Sequence, residues 1–198
     1  MPAAFARAGS VRVRESLLDA AAMEFWESGL AGTRIQDILD RAAVSRTSLY
    51  HHFAGKTEMA DAIVAERTWQ RMTTDDAAGT GRGLPALGRF LRAAAEHAER
   101  DVRARALVRI AHELPDPAAD SGLEAWRNRV RDTLEQAVVV GDIPGAVATA
   151  SVAAGVASLL RAAILEPAAG DDFAERARVL WLLMRPGLGA AGHDVMSI

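Results

Sequence analysis

Between Thr33 and Lys56 the chain runs Thr-Arg-Ile-Gln-Asp-Ile-Leu-Asp-Arg-Ala-Ala-Val-Ser-Arg-Thr-Ser-Leu-Tyr-His-His-Phe-Ala-Gly-Lys. Helix-starting and helix-stopping residues stand so close together here that the stretch is expected to fold as two short helices with a tight turn between them. Thr33 and Gln36 form a Thr-x-x-Gln capping-box pattern, in which hydroxyl and side-chain amide satisfy each other's orphan backbone amides. Ile35, Ile38, Leu39 and Ala42 then recur on one helical face. Ser45 restarts the chain as a second N-cap. Beyond it Leu49 and Phe53 point inward, which leaves Arg46, Thr47, Ser48, Tyr50, His51 and His52 on the outside. A helix about two turns long does not persist alone in water, so this one must be presented by helices packed behind it. That is the organisation of a helix-turn-helix, whose second helix enters the major groove of DNA.

The totals agree with a helical protein. The 198 residues allow one or two compact units, half are hydrophobic, and only 5% are aromatic, a balance that favours helices over sheets. Basic residues are almost all arginine, and Lys56 is the only lysine. The net charge of −3 argues against a protein that coats nucleic acid indiscriminately. Residues 1–60 hold seven basic and seven acidic side chains, so DNA affinity would have to come from a few placed groups rather than from bulk charge. There is no cysteine, which excludes disulfides and thiolate metal sites. The N-terminus lacks the pattern of a signal peptide, and a cytoplasmic protein is expected.

Residues 1–9 read as a flexible arm. A helix of roughly 18 residues follows from Val11, with Leu17, Leu18, Ala21, Ala22 and Phe25 inward and Gly29 and Gly32 closing it. After the turn helices a long helix is expected from Lys56 to Thr74, and Gly79-Thr-Gly-Arg-Gly83 breaks the chain. Further helices are expected at about 84–99, 102–114, 122–140, 144–165 and 172–185. Their punctuation is Pro115 and Pro117, a Ser121-x-x-Glu124 cap, Gly141, a first-turn Pro144, Pro167, and Pro186-Gly187 as the final stop. The expected fold is all-α, with about nine helices. A three-helix helix-turn-helix domain at 1–55 precedes a helical domain at 56–198.

Ser-Arg-Thr-Ser-Leu-Tyr-His-His-Phe-x-x-Lys, preceded by a helix ending in Phe-x-x-x-Gly and by a Gly-Thr, resembles the TetR family of one-component transcriptional repressors over about residues 11–60. A second resemblance lies in Asp101-Val-Arg-Ala-Arg-Ala-Leu-Val-Arg-Ile-Ala-x-Glu, in Trp126, and in Val179-Leu-Trp-Leu-Leu-Met-Arg-Pro-Gly-Leu. These look like the γ-butyrolactone receptors of actinobacteria, which leave DNA when a small lactone or furan autoregulator binds. Two positions depart from the family pattern. Ala43 stands where a turn glycine is usual, which costs on the order of 1 kcal/mol if φ is positive there. Gly55 replaces a serine N-cap, a loss of a few tenths of a kcal/mol.

Arg46 opens the recognition helix, where a guanidinium can reach guanine O6 and N7 with two parallel donors. Thr47 and Ser48 are short donors suited to base edges or phosphates, and Ser45 and Arg34 flank them. The resemblance places Tyr50, His51 and Lys56 on the DNA backbone. Thr33, at a helix N-terminus, offers an amide and a hydroxyl to a phosphate. His52 either joins them or packs beneath the motif. Arg7 and Arg12 either reach a minor groove or belong to a tail.

In the second domain the resemblance puts Trp126 on the wall of a ligand cavity, with Trp69, Met72, Phe90, Leu107 and Ile110 as further apolar walls; Trp181 reads as core. Such a cavity suits a small, largely apolar effector.

Ala146, Ala150, Ala154, Ser158 and Ala162 form a small-residue stripe. Together the helices at 144–165 and 172–185 suit a homodimer interface, as the family implies. The helix at 144–165 has the length of a membrane span but is mostly alanine and carries Arg161, so no membrane is expected. Catalysis is not expected either: the chain has neither the paired Glu-x-x-His motifs of a di-metal bundle nor a Gly-x-Ser-x-Gly elbow. His51-His52 lacks partners at metal-ligand spacing. No metal or cofactor is expected, and the partners are a palindromic double-stranded operator, a small-molecule effector and a second copy of the chain.

Overall fold

The computed structural model describes residues 2–66, 82–114, 117–145, 147–165 and 172–190. Among them are nine helices and no strand, as expected. These are α1 (Pro2–Gly32), α2 (Ile35–Ala42), α3 (Arg46–Tyr50), α4 (Lys56–Ala65), α5 (Gly83–Arg100), α6 (Val102–Glu113), α7 (Pro117–Val139), α8 (Thr149–Leu165) and α9 (Phe173–Ala190). The chain divides into two compact units, one of Met1–Thr68 with Asp101–Asp120 and one of Trp69–Arg100 with Ser121–Ile198. The boundary expected after residue 55 is therefore displaced, since α4 and α6 both pack with the head.

In the head unit the inward faces expected from periodicity are the ones buried. Leu17, Leu18, Ala21, Ala22 and Phe25 of α1 are fully buried, as are Ile38 and Leu49, with Leu39, Phe53, Met59 and Ile63 beside them. Helix α6 adds Leu107 and Ile110 to this core and packs against α1 and α4. Its first turn is capped by Asp101, whose carboxylate accepts from the amides of Arg103 and Ala104. Arg103 then ties three helices together. It donates to Asp19 at 2.8 Å and to Glu66 at 2.8 Å, and lies 2.9 Å from a Glu15 carboxylate oxygen. Burial works against that charge, but hydrogen bonds to Glu66 and Glu15 outweigh it and hold the guanidinium pKa well above its ordinary value.

Several helix limits differ from the expected ones. Helix α1 begins at Pro2, so residues 2–10 continue the helix instead of forming a separate arm. The run is alanine-rich, and proline is tolerated in a first turn. Helix α4 closes at Ala65 with Glu66 as its C-cap, short of Thr74; residues 67–81 lie outside the described ones. Pro117 rather than Ser121 opens α7, which places Ser121 inside the helix. Pro144 stands in the connection before α8. Pro186 lies within α9, which continues to Ala190. A proline so near a C-terminus forfeits one backbone hydrogen bond without ending the helix.

In the second unit α5 packs against α8 and α9, with Leu87, Phe90, Leu91, Val156, Leu160, Phe173 and Ala177 in the core. Gly88 lets Trp181 of α9 lie close on α5, since a Cβ there would stand 2.8 Å from the indole. Among the described residues no helix is long and apolar enough to cross a membrane.

The turn between α2 and α3 confirms the strain anticipated at Ala43, which adopts φ 53°, ψ 42°. The Val44 amide donates to the Leu39 carbonyl at 3.2 Å and the Ala43 amide to Asp40 at 3.3 Å, the pairing of a left-handed helix stop that glycine fits best. Ala43→Gly is expected to raise the unfolding free energy by about 1 kcal/mol in urea titration; an unchanged or lower midpoint would show that the turn carries no such strain.

Candidate nucleic-acid interface

Helix α3 is held at its start by Ser45, in extended conformation, whose Oγ accepts from the Ser48 amide at 3.2 Å. Leu49 anchors it from below. Arg34, Ser45, Arg46, Thr47, Tyr50 and His51 are exposed, with Tyr50 at 52%, while Ser48 and His52 are half-buried. The hydroxyl, imidazole and guanidinium groups of one short helix and its flanks thus share an outward surface.

The expected capping box does not form. Arg34 is the N-cap of α2 and makes no side-chain cap bond. Thr33 precedes that position and is buried, and both its hydroxyl (2.7 Å) and its amide (3.1 Å) donate to the Gly29 carbonyl. This corrects its placement on a phosphate, because neither donor faces outward. Gln36 does other work. Its Nε2 donates to Asp40 at 2.8 Å while its Oε1 accepts from Arg46 at 3.0 Å. The relay crosses the turn and pre-positions the Arg46 fork beside α2. Sequence reasoning missed it, since a partner ten residues away leaves no local signature.

Arg34 pairs with Asp37 through two bonds of 3.0 Å; the hydrogen bond, more than the charge, raises the arginine and lowers the carboxyl pKa.

Lys56 is also corrected. Its ammonium donates to the carbonyls of Leu30 at 2.7 Å, Ala31 at 3.2 Å and Thr33 at 2.9 Å. An ammonium has three donors, so none remains for a phosphate. The only lysine of the chain closes the C-terminal end of α1, where the helix dipole favours a cation.

The opposite side of that helix end is also occupied. At Gly29 the backbone takes φ 72°, ψ 166° and breaks α1. Glu113 of α6 accepts from the Leu30 amide at 2.8 Å, and Arg109 donates to it at 2.7 Å. Burial pushes the Glu113 carboxyl up, but Arg109 and the Leu30 amide outweigh it and hold the pKa below the ordinary range.

The residues expected to line a ligand cavity divide between the units. Leu107 and Ile110 belong to the core of the head. Phe90 and Trp126 meet in the second unit, buried, with ring centroids 5.5 Å apart and tilted by 40°. The Trp126 indole N–H is buried and has no hydrogen-bond partner among the described residues. Trp69 and Met72 lie outside the described residues. Trp181, expected in the core, is half-buried and forms one wall of a cleft of about 530 Å³ with Leu84, Pro85, Asp142, Leu182, Arg185 and Pro186. No cluster of metal-ligating side chains occurs among the described residues.

A capped short helix seated on α2 behind a tight turn, with its polar side chains outward, defines a helix-turn-helix DNA-binding module. Residues 17–63 match the N-terminal domain of the tetR family of bacterial regulatory proteins. Over that stretch the chain carries a tetR-type N-terminal domain. The chain is 36% identical over 118 residues to the HTH-type transcriptional repressor KstR2 of Rhodococcus jostii (strain RHA1), a stretch covering 60% of this chain and 50% of that repressor. The chain thus spans about half the length of that relative, and less of several others. The TetR family protein CprB of S. coelicolor A3(2) is similar in structure, with a TM-score of 0.77 and 26% identity over 94% of this chain and 93% of that one. A gamma-butyrolactone receptor described as ArpA-like gives a TM-score of 0.70 at 25% identity, covering 89% and 88% of the two chains.

Lys56→Met is expected to destabilise the protein by about 2 kcal/mol, as fits a charged donor lost from backbone carbonyls. Equilibrium urea unfolding measures this, and a change below about 0.5 kcal/mol would mean that the three bonds contribute little.

Proposed function

We propose that the protein is a homodimeric transcriptional repressor that binds a palindromic operator in the cytoplasm and is released by a small, largely apolar effector. The observation that carries the DNA reading is Arg46, held outward at the start of α3 by the neutral amide of Gln36. Thr47, Tyr50 and His51 are exposed around it. Arg46 is the residue for guanine, and Thr47 and Ser48 serve base edges. Ser45, Tyr50, His51, His52 and Arg34 serve the backbone on either side.

Support for the dimer lies on α8 and α9. Ala150, Ala154, Ser158 and Ala162 are exposed along one helix, and Leu159, Val179, Leu182 and Leu183 add large apolar groups at 41–73% exposure. An apolar surface of this kind suits a second copy. Two-fold pairing presents two recognition helices to successive major grooves and makes the operator palindromic.

Support for the effector comes from Trp126, an unpaired donor buried against Phe90. An apolar ligand carrying one carbonyl, such as a γ-butyrolactone, fits that need. Effector and operator then weaken each other's binding by the same factor.

DNA selected from random duplexes by the purified protein is expected to be palindromic, and its binding to weaken steeply with salt. Arg46→Ala should lower preference for the selected site by roughly 5- to 150-fold in competitive mobility shifts; retention of full preference would remove Arg46 from base reading.

Trp126→Phe keeps the ring and deletes the donor. The concentration of a synthetic γ-butyrolactone needed to release the selected DNA, read by fluorescence anisotropy, should rise about fivefold or more with DNA affinity unchanged. Equal release by wild type and variant would count against Trp126 as the effector's donor.

A further inference from the structure

At the broken end of α1, two helices of the head unit grip the same backbone from opposite sides. Glu113, the last residue of α6, accepts from the amide of Leu30 at 2.8 Å. Lys56, the first residue of α4, donates to the carbonyls of Leu30, Ala31 and Thr33. Leu30 is therefore held at both of its backbone groups: its N–H meets a carboxylate and its C=O an ammonium, each a charge-assisted hydrogen bond.

Gly29 makes this arrangement possible. A Cβ at that position would stand 2.2 Å from Glu113 Oε1, and φ there is 72°. Arg109 fixes the carboxylate from behind at 2.7 Å. On the far side Thr33 returns both its donors to the Gly29 carbonyl, and Arg34, the next residue, is already the N-cap of α2. Little slack remains between the break and the helix that carries the turn.

We propose that the bridge from Glu113 through the backbone of Leu30 to Lys56 is the joint that sets the angle of α2 and α3 against α6, with Glu113 as the positioning residue for palindrome binding. This rests on the operator reading above and adds to it the residue that aims the reading helix. Without the carboxylate the Leu30 amide is satisfied by water, the end of α6 is released, and the corner between α1 and α2 swings. The contact surface of α3 is left intact, so a single half-site is still read. What is lost is the correct placement of two heads on one duplex.

The test uses the full chain, the palindrome that wild type selects from random duplexes, versions with the half-sites moved one base pair closer or further apart, and an isolated half-site. Glu113→Gln is expected to weaken palindrome binding about tenfold while changing half-site binding less than about twofold, and to flatten the preference among spacings. Glu113→Asp, which keeps the charge but withdraws it by one methylene, is measured in parallel and should lie between the two. Adding Lys56→Met to Glu113→Gln should cost less than the two separate losses combined, because both act on the backbone of Leu30. Thermal melts establish that the variants are folded at the assay temperature. The bridge is overturned if both Glu113 variants keep the wild-type spacing preference, or if palindrome and half-site affinities fall by the same factor. A wild-type protein that selects no palindrome overturns the operator reading and the bridge with it.

Discussion

The break in α1 at Gly29 is the constraint on which the geometry of the head rests. A helix that stops inside a folded unit leaves amides and carbonyls without intrahelical partners, and each one buried and unpaired costs about 1–3 kcal/mol. The carbonyls of Leu30, Ala31 and Thr33 go to Lys56 and the Leu30 amide to Glu113, while the Gly29 carbonyl takes the donors of Thr33. The signs are those the dipole requires, with the cation at the carbonyl end. Because the cation stands on α4 and the anion on α6, satisfying one helix end joins three helices. The reading helix inherits its position from that junction.

The same accounting explains why a neutral head can serve a DNA-binding role. Most of its charges are spent on one another. Arg41 bonds to Glu24 at 2.7 Å and Glu27 at 2.6 Å, Arg34 is forked on Asp37, and Arg103 is shared among Glu15, Asp19 and Glu66. These pairs hold α1, α2, α4 and α6 together and contribute little field outward. Arg46 differs in kind, since its partner Gln36 is neutral. Orientation without neutralisation is what a guanidinium needs if it is to meet a base edge.

Legibility in the sequence followed the range of the interaction. The Ser45 cap, the inward pair Leu49 and Phe53, the α1 face from Leu17 to Phe25 and the stop at Gly29 are set within a few residues, and all were readable as patterns. Ala43 was readable too, since a turn that needs positive φ marks any residue other than glycine. Thr33, Gln36 and Lys56 misled for one reason: each suited a local motif, and each was claimed by a partner that local spacing does not encode. Lys56 reaches carbonyls 23 to 26 residues away and Glu113 an amide 83 residues away. Helix limits failed where a proline could either open or interrupt a helix. Pro117 opens α7, Pro144 stands in a connection, and Pro186 is absorbed near the end of α9.

The second unit poses the opposite problem to the broken end of α1, where the freed backbone groups found partners. Trp126 keeps an indole donor buried beside Phe90, with nothing among the described residues to accept from it. A phenylalanine there would pack nearly as well and would leave no donor unpaired, so the indole is a net cost to the unliganded unit of about 1–3 kcal/mol. A carbonyl brought by an apolar ligand would recover that amount on binding. On the effector reading proposed above, the penalty becomes selectivity: a ligand with a carbonyl at the right point would be favoured over an equally apolar one without it.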